Sequence, residues 1–391
     1  MSRLRLLAQL VRRVSSRPLD WSIPGRADIL IAFADTANLI SSYFPDKRVM
    51  VLDLESPRRN IWILLIALFG GSKSVDGYIR SWLRVSGAKL LVSAQDNFEP
   101  LWRIQARGNT AVALIQNGLR TAEHNSMPPA TAARRHSSVD YYFCFNSLAQ
   151  PFLEQSVSAT FVPIGSFRSN HERPRRGGNQ RCLAYISTFR TDLDFDHVIT
   201  TTRLGAVTYR DVVEDRMNTL QVVADFCCQF GYELRILGKD SSADREKEFY
   251  ERRLAGVSFE FFPRHPGRFQ YSMCDASQIV VSTGSTLGLE SLSRGNRTAI
   301  FNRLPDIIGE PSQRFGWPQV LPVEGPFWST SCSSERITDV LTDLYQFTDD
   351  KWIETVTQYR DVLPIYDPGN TQFVKTLAVF GARSLSGSLS K

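Results

Sequence analysis

The run VVSTGSTLGLESLSRG, residues 280–295, carries the strongest chemical signal in this 391-residue chain. An apolar strand ends in Ser282, Thr283, Gly284, Ser285 and Thr286, and a helix begins. Small hydroxylated residues and a glycine at a helix start leave backbone N–H groups unpaired, and with the helix dipole these suit a phosphate. Glu290, about one turn further in, is placed to accept hydrogen bonds from ribose hydroxyls. The same residues also read as a plain capped helix, with Ser285 as N-cap and Gly284 in the turn.

Further polar clusters follow apolar strands. PRHPGRF (263–269) puts His265 and Pro266 after VSFEFF; a histidine there donates to phosphate or titrates near neutrality. ILGKDSSADREKEFY (236–250) puts Gly238 and Lys239 after a strand, with Lys239 in reach of a diphosphate and Glu246 and Glu248 on a solvated helix face. LLVSAQDNF ends in Gln95, Asp96 and Asn97, and VALIQNGLR in Gln116, Asn117 and Gly118, with Arg120 just beyond. Asp96 reads as a general base or nucleophile and Arg120 as a bidentate anion contact. Gln95, Asn97, Gln116 and Asn117 read as substrate contacts. Each cluster alone also reads as a cap or a turn. In TDLDFDH (191–197), Asp192, Asp194, Asp196 and His197 alternate, but the EF-hand glycine and closing glutamate are missing at the required spacing. No metal site is predicted, and Asp192 is the reserve catalytic carboxylate. Walker A, G-x-G-x-x-G, G-x-S-x-G and H-E-x-x-H patterns do not occur.

The elements that would position these clusters alternate. Strands are predicted at 28–33, 48–54, 89–95, 110–116, 141–146 and 159–165, with helices at 73–87 and 147–156. Several are continuous apolar runs, as in strands covered on both faces. SNHERPRRGGNQR (169–181) interrupts the pattern with Pro, Gly and charge. Strands then resume at 182–187, 232–238, 257–262, 278–283 and 297–302, with helices near 211–230, 241–254 and 285–294 and, in the tail, 349–361 and 370–381. The reading is an α/β chain with a first domain over 1–172, a linker at 173–181, a second domain over 182–365, and a C-terminal helix in 366–391 packing back on the first. Ligands of open parallel sheets bind beyond the carboxyl ends of strands, and the polar clusters fall there.

A hydrophobic fraction of 42% and a charged fraction of 22% fit a globular chain with a large core. The net charge of +6 admits nucleic acid, a membrane surface or an anionic substrate. The basic residues are scattered and no aromatic-basic platform occurs, so nucleic acid is discounted. The N-terminal MSRLRLLAQLVRRVSSR reads as a basic amphipathic helix on anionic lipid, a contact predicted for residues 1–18, or as an ordinary first helix. IWILLIALFGG (61–71) is too short to span a bilayer and reads as a buried helix. Six cysteines without C-x-x-C suggest neither zinc nor a disulfide framework. They are expected to be buried in a reducing compartment, which places the chain in the cytoplasm, at the inner face of the plasma membrane if the lipid contact holds.

VVSTGSTLGLESLSRGNRTAIFN, with ALIQNGLR, DYYFCFN…FVPIGSFRSN and FGWP…EGPFW (315–328) in the same order, resembles the surface-carbohydrate (O-antigen and capsule) biosynthesis glycosyltransferases over about residues 89–370. The resemblance implies a GT-B fold: two Rossmann-like domains whose parallel sheets face each other across a cleft. His265-Pro266 followed by Ser282-Thr283 and Ser285-Thr286 resembles the CMP-binding motif pair of bacterial sialyl- and Kdo-transferases. That implies a CMP-linked acidic sugar as donor, with no separate cofactor, and a glycan or lipid-linked glycan as acceptor. The alternatives are a CDP-polyol phosphotransferase using the same nucleotide site, and a non-catalytic carbohydrate-binding protein with the same fold.

Overall fold

The computed structural model describes residues 18–385 apart from 73, 105–106, 119–136, 175–180, 203–204, 240–242, 265–269, 312–313 and 317–318. The expectations for His265, Pro266, Arg120 and residues 1–17 lie outside the described residues.

Two parallel sheets organise the chain. The first has six strands: β1 (Ile29–Ile31), β2 (Val49–Val51), β3 (Leu90–Ser93), β4 (Ala111–Ile115), β5 (Ser138–Cys144) and β6 (Ser158–Pro163). Their order is β2-β1-β3-β4-β5-β6 and every pairing is parallel. β1 and β3 are buried throughout, as their unbroken Ile/Leu/Val runs require of strands covered on both sides. The helices α1 (Ile61–Phe69), α2 (Val75–Ser86) and α3 (Phe167–His171) belong to this half.

The second half runs through β7 (Cys182–Ile186), β8 (Val198–Thr202), β9 (Gly205–Thr208), α4 (Tyr209–Phe230), β10 (Glu233–Leu237), α5 (Ala243–Arg253), β11 (Phe259–Phe262), α6 (Tyr271–Asp275), β12 (Ile279–Ser282), α7 (Thr286–Ser293), β13 (Thr298–Phe301), β14 (Glu324–Gly325) and β15 (Trp328–Ser329), and seven of these strands form the second sheet. Its order is β11-β10-β7-β12-β13-β15-β14, parallel except for the β14–β15 pair. The strand order therefore reverses between β7 and β12. β8 and β9 form a separate antiparallel hairpin. Where the sequence suggested a string of carboxylates with ligand potential, the chain runs into this hairpin. α4 starts at a capping box between Thr208 and Asp211, the reciprocal bonding that fixes a helix N-terminus.

The helix α8 (Ser334–Gln346) lies ahead of the first predicted tail helix. Its Ile337, Val340, Leu341 and Leu344 are buried at helical spacing. α9 (Asp349–Thr357) and α10 (Thr371–Leu377) follow. Phe373 of α10 inserts among the aromatic rings of the first half, with centroids 4.8 Å from Phe167, 4.9 Å from Phe143 and 5.6 Å from Tyr43.

The chain thus passes between the halves twice, and the two crossings touch. Gly165 takes φ +74°, and a Cβ there would lie 1.6 Å from the Ile365 carbonyl oxygen, so only glycine lets the segments meet. Asn170 Nδ2 donates to Asn370 Oδ1 at 3.1 Å, and Asn370 Nδ2 to Tyr43 Oη at 2.7 Å.

α1 is not the buried helix its composition suggested. Ile63 and Ala67 are buried, but Trp62 and Phe69 are exposed; a helix apolar on all sides must show one face when it has only one neighbouring layer. Of the cysteines, Cys144, Cys182, Cys227 and Cys274 are buried, Cys332 is partly so and Cys228 is exposed. No helix among the described residues is long and apolar enough to cross a membrane.

Candidate functional site

The strand-order reversal of the second sheet is where a ligand is expected, because the flanking connections diverge there. Thr188, just past β7, and Thr283, just past β12, meet at this point, their hydroxyls 3.3 Å apart. Beyond them the turn 282–286 is built from its own side chains. The Ser282 hydroxyl takes the Ser285 N–H at 3.2 Å, and the Ser285 hydroxyl takes the Leu287 N–H at 3.3 Å as N-cap of α7. Gly284 sits at φ +100°, and a Cβ there would press to 3.2 Å from Asn302 Oδ1.

This corrects the expected division of labour within the turn. Ser282 and Thr283 are buried and their hydroxyls are used inside the protein. Gly284 is open, and Ser285 and Thr286 are half-buried. The outward surface of the turn is therefore Gly284, Ser285 and Thr286, at the positive end of α7.

The first half meets this surface. A Cβ placed on Gly118 would lie 3.8 Å from Thr286 Oγ1, so the Gln116–Gly118 turn directly opposes the turn at 284–286. Gln116 is buried and locks its turn internally, donating to the Gly118 carbonyl at 2.9 Å and accepting the Phe145 N–H at 2.9 Å. Asp96 is fully buried. Its carboxylate accepts Tyr142 Oη–H at 2.5 Å and the Asn117 N–H at 3.2 Å. The expected general base is thus enclosed and holds the Asn117 turn in place. Asn97 and Asn117 are exposed and Gln95 is half-buried. Asp192 is exposed and bound to Arg190 at 2.6 Å.

Glu290 is not open to a ribose either. It is buried and accepts hydrogen bonds from the Ser166 hydroxyl of the first half and from Tyr271 Oη at 3.0 Å. Burial pushes its pKa above the ordinary 4.5, against the lowering effect of those two donors. A raised folded-state pKa gives stability that is complete below the ordinary value and is lost as pH rises through the shifted one. Glu290→Gln is therefore expected to gain thermal stability relative to the parent as pH climbs from about 4 to 7. Melting temperatures of both proteins across that range check it, and a difference that stays flat or narrows with pH contradicts it.

Two cations stand at the same strand ends. Lys239 follows β10, and its N–H donates to both Glu246 oxygens, at 3.0 and 3.1 Å. Glu246 also receives the Ser187 hydroxyl, next to Thr188. Glu246 is fully buried, contrary to the solvated face expected for it, whereas Glu248 is exposed. Gly238, which precedes Lys239, is buried. The Lys239 pKa is lowered by burial and by the positive charges of Arg216, Arg190 and Arg264. The Arg216 pKa is lowered by burial, despite Tyr185, Tyr209, Tyr250 and Asp215 nearby. Among the described residues, neither the Lys239 ammonium nor the Arg216 guanidinium has a carboxylate at ion-pair distance. Sequence reading did not find Thr188 or Arg216. Ser187-Thr188 closes a strand as Ser282-Thr283 does, which was a usable signal. Arg216 lies inside a long helix and gave none.

Behind the cleft, Arg294 and Asp275 form an ion pair with side chains 0% and 1% exposed. Arg294 Nε donates to Asp275 Oδ1 at 3.0 Å. Its Nη1 donates to the carbonyls of Ser169 at 2.7 Å and Glu172 at 2.8 Å, on the outgoing crossing. No group of three or more His, Cys, Asp and Glu side chains arranged to hold a metal ion is found among the described residues.

Residues 113–379, more than half of the chain, match the family described as putative O-antigen biosynthesis protein. The chain belongs to that family. No curated protein matches the sequence. Among solved structures, this O-antigen biosynthesis family member is similar to the wall teichoic acid polymerase TagF (TM-score 0.51, 10% identity, covering 89% of this chain and 87% of that one). It is also similar to a Listeria monocytogenes protein described as a putative UDP-N-acetylglucosamine 2-epimerase (TM-score 0.54, 11% identity, covering 91% and 96%). The fold is GT-B.

Proposed function

We propose that this family member is a glycosyltransferase that takes a sugar from a nucleotide-linked donor and adds it to a glycan or lipid-linked glycan acceptor of surface-polysaccharide assembly. One observation carries the reading. The open turn Gly284–Thr286 lies at the strand-order reversal of the second sheet, directly opposed by the Gln116–Gly118 turn of the first. A donor phosphate at that turn would receive the α7 N-terminus, and the Arg216 and Lys239 charges stand at the same end of the sheet to stabilise the departing phosphate. His265 and Pro266 keep the phosphate role, and Arg120 the acceptor-side anion role, that the sequence suggests. Asp96 acts by holding the Asn117 turn, and Asp192 remains the accessible carboxylate. A CMP-linked acidic sugar is the donor the sequence motifs favour.

Lys239 and Arg216, which have no carboxylate at ion-pair distance among the described residues, also fit a second phosphate. This favours, as a second reading, a nucleoside-diphosphate donor such as a CDP-linked polyol phosphate. One TagF structure in the same fold is of protein soaked with CDPG. Calorimetric titration with CMP, CDP, UDP and GDP tests both: one cytidine nucleotide is expected to bind well ahead of the others. Equal, negligible heats for all four would remove the donor assignment. Product mass then separates the readings, since only polyol phosphate transfer leaves a phosphodiester.

A further inference from the structure

Thirteen large apolar residues stand exposed among the described residues, and six of them fall between positions 21 and 75. The most exposed of these are Phe69 at 88%, Ile23 at 84% and Trp21 at 67%, followed by Val75 at 46% and Trp62 at 43%. They are not scattered. Trp62 Nε1 donates to the Trp21 carbonyl at 3.1 Å, and Asn60 Nδ2 donates to the Ser22 carbonyl at 2.8 Å, so the segment at 19–23 is tied alongside the start of α1. Along α1, Trp62, Leu65, Ile66 and Phe69 share one face at spacings of three, four and seven, and Leu65 and Ile66 are only half-buried. Asp20 and Asp53 line the hollow beside this segment together with Arg58, and Asp20 turns its carboxylate to Ser22 and Asn60. A hollow of about 460 Å³ opens beside the same segment, lined by Trp21, Ile23 and Val51 among others.

A continuous apolar face of this kind on a folded chain marks a contact surface. Charge decides among occupants. The 17 residues before Pro18 contain five arginines and no acidic residue, and Leu19, which follows Pro18, lies beside the patch. A second copy docked face to face would bring two such arginine-rich segments together, because a two-fold contact uses the same patch on both partners. An anionic bilayer surface instead pairs with the arginines, and tryptophan is the side chain that settles at the boundary of headgroup and hydrocarbon.

We propose that Trp21, Ile23 and the Trp62–Leu65–Ile66–Phe69 face of α1 dock on an anionic lipid surface. The face inserts shallowly, in the manner of interfacial helices, and α1 is too short to cross. This places the first half of the chain against the membrane, independently of which donor the cleft takes.

The test is co-sedimentation of the full chain with phosphatidylcholine vesicles, with and without phosphatidylglycerol. The chain is expected to bind the anionic vesicles, less at high salt. Ile23→Ser/Phe69→Ser is expected to partition about tenfold more weakly, at an unchanged melting temperature, because these two side chains are 84% and 88% exposed and already in water. Equal binding by the double variant would assign lipid contact to the first 17 residues alone and overturn the proposal, as would failure of the parent to bind. A fall of several degrees in the variant's melting temperature would mean that the chain covers this face itself. A concentration-dependent dimer, seen by light scattering and lost in the variant, would give the face to a second copy. Either result also overturns the proposal.

Discussion

Arg294→Ala is expected to destabilise the chain by about 3–5 kcal/mol, the cost of leaving a buried charge without its partner. The guanidinium is entirely enclosed and bonds both Asp275 and the Ser169 and Glu172 carbonyls. Alanine therefore takes the cation from the buried Asp275 carboxyl, which keeps the Asn296 amide at 2.9 Å, and the donor from two carbonyls. Arg294→Lys should recover only part of the loss, since one ammonium cannot reproduce a planar fork aimed at two partners. Replacing both charges, Arg294→Met with Asp275→Leu, should recover more than lysine does, because no buried charge then remains. Denaturant unfolding of the three variants checks the order, and a loss below about 1 kcal/mol for Arg294→Ala would contradict the mechanism.

Gly118→Leu is expected to lower turnover by about a hundredfold, the scale on which small displacements of bound substrate act. A Cβ at this position would rest at an ordinary 3.8 Å from Thr286 Oγ1, so Gly118→Ala should be nearly silent. The further carbons of leucine reach toward the opposing turn, where carbon contacts need about 3.5–4 Å. The side chain then fills the space between the two turns where the donor phosphate is proposed to sit. Steady-state kinetics with an identified donor, paired with melting curves, make the comparison. Full activity in the leucine variant would move the site away from these turns. A melting temperature that falls with activity would show damage to the turn itself.

The strands were legible because almost every one is an apolar run closed by polar residues, and alternation with helices followed. β12 and α7 fall within a residue or two of their predicted places. What the sequence hid was long-range pairing. Asp96 looks like a catalytic carboxylate until Tyr142, 46 positions away, closes over it. Glu246 looks solvated until Ser187 and the Lys239 N–H reach it. Glu290 reads as a ribose ligand, yet Ser166, from the other half, occupies it. In each case the side chain is polar enough for chemistry, and what the sequence did not show is that it is buried and bonded to a distant residue. The error at α1 runs the other way: composition announced burial, while the tertiary layers leave one side uncovered.

The placement of Phe373 bears on how the chain acquires its shape. Phe373 and Leu377 share a buried cluster with Ile29, Ile31, Val92 and Phe143, residues made hundreds of positions earlier. During synthesis the part of this cluster that Phe373 and Leu377 fill stays open after Tyr43, Phe44 and Phe167 are in place, until residues 371–377 have left the ribosome, so the half made first is completed after the second half has been made.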